Sequence, residues 1–417
     1  MRKIILFIIY FFEVFTKIIK LNFFTIPHSY SDNITSNINT LYDSNIFTKI
    51  SIGTPKKIID SKIIFTSFSY YIVENEKNNQ FYSNKTSNSF SFKSKNKLSF
   101  YNSNYKFGYI CSENFYFIND TNLELIVEKF PIIYVIESNL KYPSYLGFNY
   151  RSTSEDYEIN FIERLKSDNY IDSSIFTFEF FNDTNGEIII GNLPHIYNPE
   201  KYNKDELRWS NLYISYPNFV WNLFFNKITF NNVKFIGSTI CNIDYESNLI
   251  FAPIEYKKLV LQKFINKNGD KCEEVRNEKK HSFFICDKSV NIKSIPKISF
   301  VSNELNFDFE VDYKDLFKEI NGKLYFLVAF EDTREFKRWK LGTPFLKKYK
   351  FIYAQSNKLI GFYVKTSNDN NFFGKIIWLF ILLFIIIILI YIIIKIRVIK
   401  RKKRLNEVED IYQYVSN

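Results

Sequence analysis

Residues Ile376 to Ile394 carry no charge, and Lys395, Arg397, Lys400, Arg401, Lys402, Lys403 and Arg404 follow at once. A run of that length spans the roughly 30 Å hydrocarbon layer as a helix. The cationic flank marks the cytoplasmic side. At the opposite end Arg2 and Lys3 precede an apolar stretch from Ile4 to Phe12, the pattern of a secretory leader. These two features predict a single-pass type I protein of the secretory pathway or cell surface, with a signal peptide over 1–20, a transmembrane helix over 376–394 and a basic cytoplasmic tail over 395–417. Everything between the two hydrophobic segments is then expected to fold in a luminal or extracellular space.

The net charge of +11 is explained without nucleic acid, because seven cations sit in the juxtamembrane cluster, where anionic lipid headgroups are the natural partner. No basic stripe or nucleic-acid motif occurs elsewhere, so nucleic-acid binding is excluded. Four Asn-x-Ser/Thr sequons, at Asn33, Asn84, Asn119 and Asn182, lie before the span and are candidate glycosylation sites. The four cysteines share that oxidising compartment. Cys272 and Cys286 flank a polar turn-like stretch and are expected to form a local bridge. Cys111 and Cys241 sit in strand-like apolar surroundings, where a buried thiol is the common outcome, and their pairing stays open.

Between about Asp43 and Val364, short runs of Ile, Phe, Tyr and Val punctuated by Asn, Ser, Lys and Gly predict a mostly β fold. Glu187 to Ile190 and Phe351 to Tyr353 are examples. Helical periodicity is confined to Asn160–Lys166, Ile254–Phe264 and Lys314–Glu319. The segment from Lys17 to Tyr42 reads either as a propeptide or as part of the mature chain.

Several motifs recur in a fixed order. Ile52-Gly53-Thr54-Pro55 and Phe65-Thr66-Ser67-Phe68-Ser69 come first. Tyr101-Asn102-Ser103-Asn104, Tyr145-Leu146-Gly147-Phe148, the Gly186–Asn192 turn and Trp221 follow. Asp244-Tyr245-Glu246-Ser247 through Pro253, then Trp339–Leu346 and Ile360-Gly361-Phe362, complete the series. Together they resemble the pepsin-like aspartic peptidases across nearly the whole region before the membrane. The resemblance implies a bilobed, mostly β fold with a central cleft, an N-terminal lobe over 43–195 and a C-terminal lobe over 196–364. It places Asp244 at the second catalytic aspartate, Phe65 at the first, and Tyr101 at the tyrosine of the flap that closes over substrate. Thr66 and Ser247 become candidate substrate-binding residues.

Such enzymes hold a water between two carboxylates sharing one proton, so that one acts as base while the other acts as acid. With Phe65 opposite Asp244, that relay is broken. The family's glycines read as Ser67 and Glu246, and its pair of cross-linking threonines is reduced to Thr66. Two rescues are conceivable: Asp60 in place of Phe65, or Glu246 turned toward Asp244, against the plainer reading of Glu246 as a solvated or ion-paired surface residue. His28, His195 and His281 are too widely spaced for a metal site, and no cofactor is implied. The expectation is a membrane-anchored pseudo-peptidase binding a peptide or protein in its cleft. Its competitors are a divergent active endopeptidase and a surface protein whose cleft is filled by Phe65, Phe68 and Tyr245.

Overall fold

The computed structural model describes residues 17–26, 29–67, 69–73, 82–93, 98–99, 105–119, 124–138, 142–150, 160–213, 220–277, 281–331, 338–364, 388 and 391–401. The chain divides into two units, residues 1–364 and 365–417. In the second, residues 391–401 are helical. No helix among the described residues is long and apolar enough to cross a membrane, and most of the predicted span lies outside them.

The first unit is built on three antiparallel and mixed sheets. One wall is shared by both halves of the chain. Strand Ile19–Thr25 pairs with Asn185–Ile190, which pairs with Ile175–Phe180; beyond it come Phe351–Ala354, Leu359–Tyr363 and Leu207–Asn211. The last strands of the unit thus lie against strands from its first half, and the unit does not separate at residue 195. Lys17 also belongs to it, its backbone N–H donating to Asp172 (2.9 Å). A leader boundary at residue 20 would remove the first two residues of a paired strand.

Each half repeats one motif. Strand Lys57–Ile64 runs parallel to Ser144–Gly147, which is antiparallel to Tyr70–Val73, itself parallel to Glu124–Ser138. In the second half Thr239–Ile243 runs parallel to Trp339–Leu341, which meets Ile250–Pro253 in antiparallel fashion, itself parallel to Val328–Glu331. The two loops read from sequence as halves of one site, described at 65–67 and 69 and at 244–249, occupy the same position in the two copies; Phe68 lies outside the described residues.

Gly147 and Gly342 explain why the loops can be held so close. A Cβ on Gly147 would lie 2.4 Å from the Ser67 carbonyl oxygen, and one on Gly342 would lie 2.1 Å from that of Leu249. Only hydrogen fits there.

The helix forecasts mostly survive, as Phe161–Ser167 and as Ile254–Val260 continued by a π turn over Leu261–Ile265. Lys314–Glu319 does not: its helix stops at Leu316, and Phe317–Ile320 is a strand paired with Lys323–Phe326. The cause is Asn321-Gly322, both at positive φ, which is the geometry of a tight hairpin turn. Helix Ile34–Leu41, capped by Asn33 on the Ser36 N–H, was not foreseen. Ile38 and Leu41 bury against Leu249, Phe251, Phe283 and Leu327 of the second half. The segment left open as propeptide or mature chain is therefore integrated into the folded unit.

Cys272 and Cys286 form the expected disulfide, across neighbouring strands, while Cys111 and Cys241 are buried free thiols. Gly147→Ala and Gly342→Ala should each lower stability by about 1–3 kcal/mol through overpacking. Gly237→Ala, where a Cβ meets nothing within 4 Å, should be neutral. Urea melts of the three variants check this.

Candidate functional site

The repeat supplies an internal ruler for the site. Ile63 faces Leu146 and Ile64 faces Gly147 in one half, and Ile243 faces Leu341 in the other, so Gly147 corresponds to Gly342 and Ile64 to Asp244. The outgoing strands agree: Tyr71 faces Tyr145 as Phe251 faces Lys340. The turns agree too, since Ser69 N–H donates to Ser67 Oγ (3.4 Å) as Leu249 N–H donates to Ser247 Oγ (3.1 Å).

This corrects the sequence alignment by one residue. Ile64, not Phe65, is the counterpart of Asp244; Phe65 is the counterpart of Tyr245, Thr66 of Glu246, and Ser67 of Ser247. A one-residue slip moves every side chain of an extended segment to the other face. That is what distinguishes the two readings: Phe65 points into the core, and Ile64 packs with Tyr71 and Tyr145.

Phe65 and Tyr245 meet across the pseudo-twofold. Their rings stack at 4.6 Å, and Phe178 and Tyr353 complete the cluster around them. The Tyr353 hydroxyl donates to that of Tyr245 (3.2 Å). Burial pushes the Tyr245 hydroxyl well above the usual phenol range. The family resemblance implies a threonine at Tyr245, and the strand register puts Phe65 at the symmetric position, so aromatic stacking occupies the place of a hydroxyl cross-link.

The polar cross-link between the halves has passed to Glu246. Its Oε1 accepts the backbone N–H groups of Phe65 (2.7 Å) and Thr66 (2.9 Å). Glu246 is thus not a solvated surface residue: its carboxylate is engaged by the main chain of the opposite loop. Burial, and after it the nearby Asp244 charge, raise its pKa, while the Phe65 and Thr66 contacts and Lys62 pull the other way. The other face of this loop is tied to the N-terminal segment: Ser44 N–H donates to the Glu246 carbonyl, Ser44 Oγ to the Tyr245 carbonyl, and Asn248 Nδ2 to the Asp43 carbonyl.

Asp244 is 6% exposed and is matched by a cation. Lys340 Nζ lies 2.7 Å from its Oδ2, and the Glu246 N–H donates to Oδ1 (2.9 Å). Lys340 Nζ also sits 5.2 Å from the centre of the Phe251 ring. Burial lowers the Lys340 pKa, but the adjoining Asp244 carboxylate outweighs it and the net shift is upward. Lys340 corresponds to Tyr145 in the first half, so the pair Asp244–Lys340 mirrors Ile64–Tyr145. Sequence reasoning passed over Lys340; superposing Tyr145-Leu146-Gly147 on Lys340-Leu341-Gly342 would have found it.

The remaining predicted positions fall outside this centre. Asp60 pairs with Lys49 (2.9 Å) on an exposed strand face, away from Asp244 and its loop. Thr66 meets Glu246 through its main chain, and Ser247 is buried, its hydroxyl accepting the Leu249 N–H and its carbonyl the Thr343 N–H. Tyr101 lies outside the described residues; on either side of it Leu98 pairs with Gly108 and Ser99 with Phe107. Among the described residues no group of three His, Cys, Asp or Glu side chains could hold a metal ion. Trp221 is buried and donates its indole N–H to the Phe148 carbonyl (2.9 Å).

Comparison with known proteins agrees with this architecture. The model of the family described as eukaryotic aspartyl protease matches residues 45–364, and the chain belongs to that family. Among solved structures, basic 7S globulin from soybean shares the fold with a TM-score of 0.59 at 13% identity, over 84% of this chain and 96% of that one. No curated protein sequence matches the chain.

Two variants probe the centre. Glu246→Ala leaves two N–H groups without their charged acceptor and should cost about 2 kcal/mol. Because the Glu246 pKa is raised in the folded state, its ionisation opposes folding: its contribution is full below its ordinary value of 4.5 and declines as pH rises through the folded pKa. Wild type should therefore lose stability relative to Glu246→Gln as pH is raised from 4 to 7, as measured by denaturant midpoints. Lys340→Met strands the Asp244 carboxylate and should destabilise by about 2 kcal/mol, less than for a fully buried pair because the lysine is partly exposed.

Proposed function

We propose that this protein is a membrane-anchored, non-cleaving member of the aspartyl protease family whose ectodomain binds an extended peptide or a protein partner. The observation supporting this is Ile64 at the position paired with Asp244. A peptidase of this class needs two carboxylates sharing a proton. Here one is an uncharged sec-butyl side chain and the other is neutralised by Lys340. Glu246, the nearest alternative acid, is committed to the backbone of residues 65 and 66.

Such a scaffold retains the means to hold a strand-like ligand through backbone hydrogen bonds. The charge-free run 376–394, the cations that follow it and the N-terminal apolar stretch support type I anchoring, with the tail against anionic lipid. In a secretory compartment the exposed sequons Asn33 and Asn182 are the favoured glycan sites, whereas Asn84 is partly buried with an enclosed side-chain oxygen. Glycosidase treatment of Asn33→Gln and Asn182→Gln should each remove one gel shift, and Asn84→Gln none.

The decisive experiment is incubation of the purified protein with a diverse peptide library from pH 3 to 7, beside Asp244→Ala. No turnover by either protein is expected. Cleavage that disappears in Asp244→Ala would overturn the reading and require displacement of Lys340 and an acid supplied from elsewhere.

A further inference from the structure

A cavity of about 550 Å³ lies in the second half of the fold, between the hairpin of strands Lys227–Phe230 and Val233–Ile236 and the helix Ile254–Val260 with its π-turn extension. Its floor is apolar, with Phe230, Phe235 and Leu259. Its rim carries Lys234, Lys263 and Lys267, and among the described residues no acidic side chain lines it. All three lysines are exposed, and none forms an ion pair with a described residue. Four other lysines of the same half, Lys257, Lys297, Lys323 and Lys348, each meet a carboxylate within 4 Å.

Three cations without a carboxylate partner among the described residues repel one another around one opening, and an anion placed among them relieves that repulsion. An aromatic and aliphatic floor beneath them removes apolar surface from water when filled. The volume falls in the range of pockets that enclose a small molecule. The π turn Leu261–Ile265 carries Lys263 and widens the helix at the lip of the cavity. Such turns interrupt an otherwise regular helix and are frequent at functional sites.

We propose that this cavity binds a single-chain anionic amphiphile, a medium- or long-chain carboxylate whose tail lies on Phe230, Phe235 and Leu259 and whose head meets Lys234, Lys263 and Lys267. The site is independent of the Asp244 loop and of whether that loop cleaves peptides.

The test uses the full chain in phosphatidylcholine nanodiscs with a decanoate probe bearing a diazirine in its tail, followed by irradiation and peptide mapping. Adducts are expected on residues 227–236 and 254–267, competed by decanoate and not by decanol. Replacing all three lysines with glutamine should reduce labelling about tenfold, three exposed charge pairs together amounting to that ratio. Val233→Asp, at a lip residue 70% exposed, should reduce it as well without changing the melting temperature. Equal labelling of the triple variant, equal competition by decanol, or adducts confined to other segments would overturn the proposal. Loss of labelling on adding phosphatidylserine to the disc, with no competition by decanoate, would overturn it in favour of a lipid headgroup.

Discussion

The contact on which the architecture depends is the meeting of the two repeated loops at their pseudo-twofold axis. Two β halves joined by one shared wall would be free to shift against each other unless something at the centre fixed their register. Here Phe65 stacks on Tyr245 at 4.6 Å, and the Glu246 carboxylate reaches across to two main-chain N–H groups. The stack contributes about 0.5–1.5 kcal/mol beyond its buried area. The carboxylate adds direction, because two N–H groups converging on one oxygen admit little sliding.

The same residues set the electrostatics around Asp244. A catalytic pair of carboxylates is held in tension: like charges close together separate the two pKa values, and that separation divides acid from base. At Asp244 the neighbour is an ammonium group, and the symmetric position is Ile64. An ion pair satisfies the carboxylate instead of leaving it poised. The N-terminal segment reinforces the arrangement from behind, with Ser44 and Asp43 bonded to the Asp244 loop and helix Ile34–Leu41 packed on the strands beyond it.

Much of the site was legible as motif and order but not as register. The Gly147 and Gly342 stretches were readable because a close backbone approach tolerates no side chain. The choice between Ile64 and Phe65 was not, since both are apolar and the following Thr66-Ser67 invites alignment one residue late. Only strand pairing fixes which of the two faces the core. Glu246 eluded the sequence for a related reason: a carboxylate two residues after Asp244 looks solvated until the opposite loop brings its backbone within 3 Å.

By itself the sequence determined the β-rich class, the order of the family's elements and the local disulfide, because these depend on composition, spacing and residue chemistry. Tertiary structure decided the counterpart of Asp244, the Lys340 pair, the role of Glu246 and the integration of residues 17–26 and 29–45 into the folded unit. Those are contacts between segments far apart in the chain, and residues so separated acquire a shared environment only when the two halves close on one another.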